Sequence, residues 1–290
     1  MTDSMPETFL GLGGDDADYR RARYAILPIP YDATTSYAAG TRDGPRAIIA
    51  ASRQLEDYDV ELGRESYQAG IATLDPLEPD ARGPEAMCRR IARAASRPLR
   101  DGKFLLALGG EHSITAGLVR AALKRYRKLA VLQIDAHADL RDRYHGSPYS
   151  HACVMRRIHD MGVAAVAVGV RSYSRQEAAF IRRQRKPVFA PRACREAGWI
   201  ERVLDVLGDP VYITIDIDGF DPACAPGTGT PEPGGLDWFQ VADLLAAVAA
   251  RRRIVAADIV EVRPLGGQNV TEFLAARLAY RIIGLTARNR

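Results

Sequence analysis

Eight short apolar runs rich in β-branched residues recur along the chain, separated by longer segments, several of which have helical periodicity. This alternation constrains the fold most strongly, because strands separated by helices pair in parallel and are buried on both faces. The predicted strands are Tyr24 to Pro28, Gly70 to Leu74, Phe104 to Leu108, Leu129 to Ile134, Val163 to Val170, Val188 to Ala190, Val211 to Ile215 and Ile254 to Val262. We therefore predict a single α/β domain with an eight-stranded parallel sheet. Strand number alone allows either an open doubly wound sheet or a closed barrel.

Apolar residues at helical spacing between these runs predict the helices that cover the sheet. The predicted helices are Pro84 to Ala95, Thr115 to Tyr126, Gln176 to Arg185, Asp237 to Arg252 and a last helix that begins at Thr271. Residues 1–20 carry several acidic side chains and are expected to form an N-terminal extension that could be mobile.

Composition excludes several classes of protein. The 290 residues are 47% hydrophobic and 26% charged, which is enough apolar material for a large core. The net charge of +4 comes from basic groups spread in short runs, so we expect no nucleic-acid partner. We also expect no secretory leader and no membrane span, because no apolar run is long enough. Four cysteines without CxxC spacing argue against a zinc ribbon or a disulfide framework and favour the cytoplasm.

Polar clusters directly follow three of the predicted strands. The clusters are Gly109-Gly110-Glu111-His112-Ser113, Asp135-Ala136-His137-Ala138-Asp139 and Asp216-Ile217-Asp218. Parallel strands present their carboxyl ends at one edge of a sheet, and alternate residues of an extended chain share a face. Four carboxylates and two imidazoles are therefore expected to gather at that edge.

Four carboxylates packed together repel one another and need positive charge nearby. Two divalent cations would supply it, with shared carboxylates holding them roughly 3.5 to 4 Å apart. Oxygen-rich ligation without thiolate favours manganese, and the imidazoles leave nickel, cobalt and iron as alternatives. Taken alone, the aspartate-rich run could be a capped turn. The segment from Asp216 does not fit a calcium-binding EF-hand, because its twelfth position is Gly227 rather than glutamate.

The same runs carry a resemblance to a known family. The sequences GGEHS at 109–113, DAHAD at 135–139, DIDGFDPACAPGTGTPEPGG at 216–235 and EVRP at 261–264 are similar to the arginase and agmatinase family, the ureohydrolases. The similarity extends upstream to PYD at 30–32 and GTRDGPR at 40–46, so it covers nearly the whole chain.

This resemblance implies a three-layer α/β/α catalytic domain over residues 21–290, with an open parallel sheet rather than a barrel. It implies an enzyme that hydrolyses a small cationic guanidino compound to urea and an amine, with two Mn²⁺ per subunit that activate water. The implied ligands are His112 and Asp139 for one metal, His137 and Asp218 for the other, and Asp135 and Asp216 as bridges between them. A homo-oligomer, a trimer or hexamer, is implied as well.

Roles in catalysis and substrate binding are also implied by the resemblance. Asp139 would orient the attacking water, and Glu261 would pair with the guanidinium in a bidentate geometry. Thr230 would help to hold that group. His151, in the loop before a predicted helix, matches the histidine that contacts the substrate and passes a proton to the leaving amine. His145 competes for this role, but its position before Gly146 favours a loop residue.

Two departures from related patterns bear on the substrate. Leu140 stands where arginase-type chains have the asparagine that recognises the amino-acid end of arginine, which argues against arginine. The surrounding sequence resembles the agmatinase branch, so conversion of agmatine to putrescine and urea is predicted, with guanidinobutyrate, N1-aminopropylagmatine or another guanidine as alternatives. The pair Ala38-Ala39 replaces the basic residue and proline of many agmatinase-like chains, a loss expected to bear on substrate selection or on subunit packing.

Two opposing hypotheses make different demands on the sequence. An inactive metal-binding or polyamine-binding homologue would be expected to lack a ligand or the substrate carboxylate, yet all six ligand positions and Glu261 are present. A two-metal phosphoesterase would be expected to place basic groups near the metals to bind phosphate. The cleft loops offer Glu261 instead, which favours a cationic substrate.

Overall fold

The computed structural model describes residues 5–287, which contain ten strands and nine α-helices. The strands are β1 (Tyr24–Ile29), β2 (Tyr58–Asp59), β3 (Arg64–Glu65), β4 (Ile71–Thr73), β5 (Phe104–Gly109), β6 (Ala130–Ile134), β7 (Ala164–Val168), β8 (Val188–Phe189), β9 (Val211–Asp216) and β10 (Ile254–Val260). Eight of them form one sheet in the order β4-β1-β5-β10-β9-β6-β7-β8, and every neighbouring pair is parallel. Strands β2 and β3 form a separate antiparallel pair.

Helices cover both faces of the sheet. They are α1 (Gly14–Ala17), α2 (Gly44–Ser52), α3 (Pro84–Arg100), α4 (Thr115–Leu123), α5 (Val154–Asp160), α6 (Arg175–Gln184), α7 (Trp199–Val206), α8 (Trp238–Arg251) and α9 (Val270–Thr286). Helices α2, α7, α8 and α9 contribute to the hydrophobic core on one face, and α3, α4, α5 and α6 to the core on the other.

Alternate residues of each central strand enter these two cores. In β1, Ile26 packs in the first core, whereas Ala25 and Leu27 pack in the second. Both faces are thus removed from water, which explains why the strands are continuous apolar runs rather than alternating ones. The arrangement is an open three-layer α/β/α sheet, and the predicted fold class is confirmed.

All eight predicted strands are present, with ends that differ by at most two residues. Helix α5 is the helix expected after His151, whereas α1, α2, α7 and the β2–β3 pair are additions to the predicted pattern. In the expected N-terminal extension, Phe9 is fully buried and its N–H donates to Thr73 Oγ1 over 2.9 Å, so this part of the segment packs on the domain. Among residues 5–287, no helix combines the length and apolar character needed to cross a membrane.

Candidate active site

The candidate site lies at the carboxyl edge of the four central strands, β5, β10, β9 and β6. Its residues are His112 after β5, Asp135, His137 and Asp139 after β6, Asp216 and Asp218 at and beyond the end of β9, and Glu261 after β10. Because parallel strands end at one edge, side chains from segments far apart in sequence meet there.

Gly110 allows the chain to leave β5 next to the loop after β1. Its N–H donates to the carbonyl of Ile29 over 2.9 Å, and a Cβ added to it would lie 2.1 Å from the carbonyl oxygen of Tyr31. Any side chain would therefore collide with a neighbouring backbone. The glycine places the segment carrying His112 against β1, deep in the sheet edge.

Three carboxylates surround one nitrogen of His112. The Nδ1 atom lies 3.2 Å from Asp135 Oδ2, 3.1 Å from Asp139 Oδ2 and 3.4 Å from Asp216 Oδ2. The His112 side chain is buried, as are all three carboxylates. Sequence reasoning placed these four residues around one metal, and the structure brings them together.

A second group forms around His137. Its Nδ1 atom lies 2.9 Å from Asp218 Oδ2 and 3.8 Å from Asp135 Oδ1. Asp135 thus faces His112 with one carboxylate oxygen and His137 with the other. Asp216 directs Oδ2 to His112, while its Oδ1 accepts the backbone N–H of Asp218 over 3.0 Å. Of the two residues expected to bridge, Asp135 occupies the central position between the histidines.

The electrostatics of the site show a shortage of positive charge. Burial, with the neighbouring Asp139, raises the pKa of Asp135 to about 7. Burial and the charges of Asp218 and Asp135 raise the pKa of Asp216 well above its ordinary range. Burial would lower the pKa of His137, but its hydrogen bond to Asp218 and the surrounding carboxylates raise it to about 11. Protons on the imidazoles therefore supply charge that divalent cations could supply instead.

The donor set fits two metal ions. Two sets of side chains within reach of a common ion share one residue, His112 with Asp135 and Asp139, and His137 with Asp135 and Asp218. The Nδ1 atom of His112 is also buried without a hydrogen-bond partner among residues 5–287. A buried nitrogen normally has a partner, and one surrounded by carboxylates is a natural metal ligand.

Glu261 and Thr230 lie in the same pocket as the carboxylates. Glu261 is buried, and its Oε1 accepts the backbone N–H of His112 over 2.7 Å. Burial raises its pKa well above the ordinary value, with the charge of Glu111 adding to the effect. The hydroxyl of Thr230 lies 3.4 Å from Asp218 Oδ2. A cation entering here would neutralise the Glu261 carboxylate.

Asp139 and Glu261 both have left-handed backbone conformations, with φ of 50° and 62°. Such angles are uncommon outside glycine and cost on the order of 1 to 3 kcal/mol unless the surroundings enforce them. The N–H of Glu261 donates to the carbonyl of Gly110 over 2.8 Å, and the carbonyl of Asp139 accepts the N–H of Arg156 over 3.2 Å. These bonds hold the two carboxylates toward the pocket.

Thr34 and Glu111 support the loop that carries His151. The N–H of His151 donates to Thr34 Oγ1 over 3.0 Å, and the His151 Nδ1 atom lies 3.3 Å from the same oxygen. Glu111 is fully buried and accepts the Thr34 hydroxyl over 2.7 Å and the Thr34 N–H over 2.5 Å. Burial lowers the pKa of His151, so its imidazole is neutral near pH 7.

Sequence reasoning assigned no role to Glu111, although it lies inside one of the quoted motifs. The competitor His145 is exposed and stacks on Tyr144 at 4.1 Å between ring centroids. His151 lines the pocket, whereas His145 is not among the residues that line it.

The pocket has a volume of about 320 Å³. Its outer wall includes Tyr37 and Tyr173, which are 82% and 51% exposed, and Arg141, which lies over the ring of Tyr144. At Ala38-Ala39, where many agmatinase-like chains have a basic residue and a proline, the Nε–H of Arg263 donates to the carbonyl of Ala39 over 2.9 Å. A positive charge therefore still contacts this loop, from a different part of the chain.

Comparisons with known proteins extend over the whole domain. A family model described as the arginase family matches residues 22–284. An N(1)-aminopropylagmatine ureohydrolase of Thermus thermophilus is 42% identical over 277 residues, which cover 95% of this chain and 94% of the relative. An agmatinase of Pyrococcus horikoshii is 37% identical, with coverage of 93% and 94%. The crystal structure of agmatine ureohydrolase of Thermoplasma volcanium aligns with a TM-score of 0.85 at 35% identity, covering 93% of this chain and 92% of that one.

Proposed function

The chain belongs to the arginase family and is a ureohydrolase acting on guanidino C–N bonds, and from this we propose that it hydrolyses an agmatine-type amine at a binuclear metal centre. The observation that carries the proposal is the position of Asp135, whose two oxygens face the two histidines. One carboxylate between two histidine-carboxylate groups is the arrangement expected for a ligand shared by two metals.

The proposed ligands are the six residues of the two groups. They are His112, Asp135, His137, Asp139, Asp216 and Asp218. We propose Mn²⁺, because carboxylate oxygens dominate the set and thiolates are not part of it, while nickel, cobalt and iron are the alternatives that imidazole permits. When bound, two such cations activate water for attack on carbon and neutralise the carboxylates.

Glu261 is proposed to bind the substrate guanidinium. Its buried carboxylate lies in the pocket beside the proposed metal ligands, where pairing with a cation would relieve the cost of its own burial. Thr230 would hold a guanidinium nitrogen from the Asp218 side, and Asp139 would orient the attacking water. These contacts would hold the guanidinium carbon in line for attack by water.

His151 is proposed to pass a proton to the leaving amine. Hydrolysis joins the water oxygen to the guanidinium carbon, breaks the bond from that carbon to the alkyl nitrogen, and requires a proton on that nitrogen. The Nδ1 atom of His151 lies 3.3 Å from Thr34 Oγ1, and Nε2, which lies 3.5 Å from Ser36 Oγ, is the nitrogen proposed for the transfer. A neutral imidazole at this position can accept a proton from the attacking water and deliver it to the amine.

The outer wall of the pocket favours a substrate longer than agmatine. Tyr37 and Tyr173 present exposed aromatic rings at its mouth, and such rings bind ammonium groups with about 0.5 to 1 kcal/mol at exposed sites. The second ammonium of an N1-aminopropyl tail would extend toward them, whereas agmatine is shorter. Three N(1)-aminopropylagmatine ureohydrolases are 40 to 42% identical to this chain and a fourth is 34% identical, against 37% for an agmatinase. The three higher values also support the longer substrate, with agmatine as the second candidate.

Urea release from the manganese-loaded protein tests the proposal. We expect the highest kcat/KM with N1-aminopropylagmatine, a lower value with agmatine, and little urea from arginine or guanidinobutyrate. Failure to release urea from any of these four guanidines would overturn the proposed function. Tyr37→Ala and Tyr173→Ala should each lower kcat/KM about 2- to 5-fold for the longer substrate relative to agmatine, whereas the corresponding Phe variants should not. Tyr58→Ala, an exposed tyrosine of the β2–β3 pair, is the matched control.

We also propose that the subunits form a homo-oligomer, a trimer or a hexamer. Light scattering coupled to gel filtration would give the mass directly. A monomer mass near 31.7 kDa at micromolar concentration would contradict this assembly.

A further inference from the structure

Asp258 is a fully buried carboxylate inside the sheet that the proposed reaction does not use. It lies in the middle of β10, paired in register with Thr214 of β9. Three hydroxyl groups point at it. The hydroxyl of Tyr212 donates to Asp258 Oδ2 over 2.6 Å, and the hydroxyl of Thr115 donates to the same oxygen over 3.0 Å. The hydroxyl of Thr214 donates to Asp258 Oδ1 over 2.6 Å. We refer to Asp258 with these three hydroxyls as the Asp258 cluster.

A carboxylate at this position is costly for the fold. Removing an ionised group from water costs several kcal/mol even after hydrogen bonds form, and well-packed apolar residues often serve the core equally well. The neighbours of Asp258 along β10, Ala257 and Ile259, are fully buried apolar residues of this kind. Packing of the sheet therefore does not explain the presence of Asp258.

Thr214 connects the Asp258 cluster to His112. Its Oγ1 lies 2.9 Å from Nε2 of His112, which is the ring nitrogen opposite the one that faces the metal carboxylates. A threonine hydroxyl has one proton to donate, and Asp258 accepts it. Thr214 can then only accept from Nε2–H, so Nδ1 is the nitrogen that faces Asp135, Asp139 and Asp216 and that would bind a metal in place of its proton.

We propose that Asp258 is a positioning residue for the metal centre, acting through Thr214 to fix the ring orientation and the protonated nitrogen of His112. Histidine ligands commonly donate their second N–H to a carboxylate or carbonyl, and loss of such a partner typically lowers metal affinity about 10- to 100-fold. Here the hydroxyl of Thr214 lies between the carboxylate of Asp258 and the imidazole of His112. The inference rests on the proposed function, because it requires a metal at His112.

Metal occupancy at the two histidine groups tests this inference in the full-length protein. Thr214→Val keeps the shape of the side chain and removes the link, and Asp258→Asn removes the charge that orients the hydroxyl. Both should lower Mn²⁺ affinity at the His112 group about 10- to 100-fold, measured by calorimetric titration and by elemental analysis after dialysis. The His137 group, which has no contact with Thr214, should keep its metal, so one Mn²⁺ per chain should remain at concentrations that saturate both sites in the wild type.

Two further variants separate positioning from general stability. Thr214→Ser keeps the hydroxyl and should restore two-metal binding to within about 3-fold of wild type. Tyr212→Phe removes a hydrogen bond to Asp258 without interrupting the path to His112, so it should lower thermal stability more than metal affinity. If Asp258→Asn does not fold, the comparison of Thr214→Val with Thr214→Ser is sufficient to test the inference.

Three outcomes would overturn the inference. These are unchanged affinity at the His112 group in Thr214→Val, equal loss of both metals in that variant, and a loss in Tyr212→Phe as large as in Thr214→Val. A wild-type protein that binds two metals and releases urea while Thr214→Val behaves normally would refute the positioning role and leave the proposed function intact. A wild-type protein that binds no divalent metal would refute both.

Discussion

Glu261 accepts a hydrogen bond from the backbone N–H of His112, with 2.7 Å between the nitrogen and Oε1. The carboxylate proposed to bind the substrate is therefore attached to the backbone of a proposed metal ligand. Both segments lie at the ends of adjacent strands, β10 and β5. Substitutions at residue 261 consequently need to be chosen so that charge and hydrogen bonding are tested separately.

Glu261→Gln should remove the substrate contact while leaving the metal centre intact. The amide oxygen can still accept the His112 N–H, but the negative charge that pairs with guanidinium is gone. A truncated charge pair in a cleft costs ~2 to 5 kcal/mol, so kcat/KM should fall about 30- to 5,000-fold with two metals retained. Glu261→Ala also removes the acceptor and should weaken metal binding. Near-native turnover of every guanidine by Glu261→Gln would show that the substrate carboxylate is elsewhere.

Metal affinity should increase as the pH rises. The pKa of His137 is raised to about 11, because Asp218 and the other carboxylates outweigh burial, so its imidazole is protonated near neutral pH without metal. Metal binding must displace that proton, and apparent affinity should rise up to about tenfold per pH unit for each proton released. Titrations between pH 6 and 9 should show this slope. Affinity independent of pH would contradict a metal at His137.

The raised pKa of His137 also predicts how the stability of the metal-free protein depends on pH. A folded-state pKa above the unfolded value gives a stabilising contribution that is present below about pH 6.5 and is lost as the pH rises through about 11. The melting temperature of the metal-free protein should therefore decline across this window. His137→Asn should flatten the decline, and differential scanning calorimetry after chelator treatment would measure both proteins.

His151 should determine the acidic limb of the pH-rate profile. Burial lowers its pKa below the ordinary 6.5, and proton transfer from water requires the neutral ring. Activity should then be lost as the pH falls through that lowered pKa. His151→Asn should reduce kcat more than it changes KM and should remove this limb. The exposed His145 offers the matched control, and a comparable loss in His145→Asn would argue for the competing assignment.

Gly110→Ala should destabilise the protein, because the new Cβ would meet the carbonyl oxygen of Tyr31 at 2.1 Å. Overpacking of this kind costs about 1 to 3 kcal/mol when the backbone has to move. Urea denaturation should show a lower midpoint with an unchanged slope. Gly266→Ala, where nothing lies within 4 Å of the added Cβ, should change the free energy of unfolding by less than about 0.5 kcal/mol. Equal effects of the two substitutions would contradict the close-approach argument.

The strands could be predicted from sequence because burial on both faces leaves continuous apolar runs. Helix α2 begins at Gly44-Pro45 and α7 has only eight residues, so neither has a long periodic pattern. Strands β2 and β3 have two residues each, too few for a periodic signal. Local sequence patterns therefore describe the sheet better than its shorter connecting elements.

In the candidate site too, residues within local motifs could be predicted, whereas contacts that depend on the tertiary fold could not. His112, Asp135 and Asp218 could be singled out because each follows a predicted strand within a polar motif. The link from Asp258 through Thr214 to His112 depends on the register of β10 against β9, which local sequence does not specify. Thr34 and Glu111 likewise meet across 77 positions of sequence.

The order of strands in the sheet has a consequence for protein synthesis. Strands β4, β1 and β5 form one group and β9, β6, β7 and β8 another, and β10, which follows all of them in sequence among residues 5–287, joins the two groups. His112 belongs to the first group, and the carboxylates that face it belong to the second. A nascent chain that lacks β10 cannot hold the two halves in native register. Metal uptake at the His112 group should therefore begin only after residues 254–260 have emerged from the ribosome, whereas the residues of the His137 group all follow the paired strands β6 and β9.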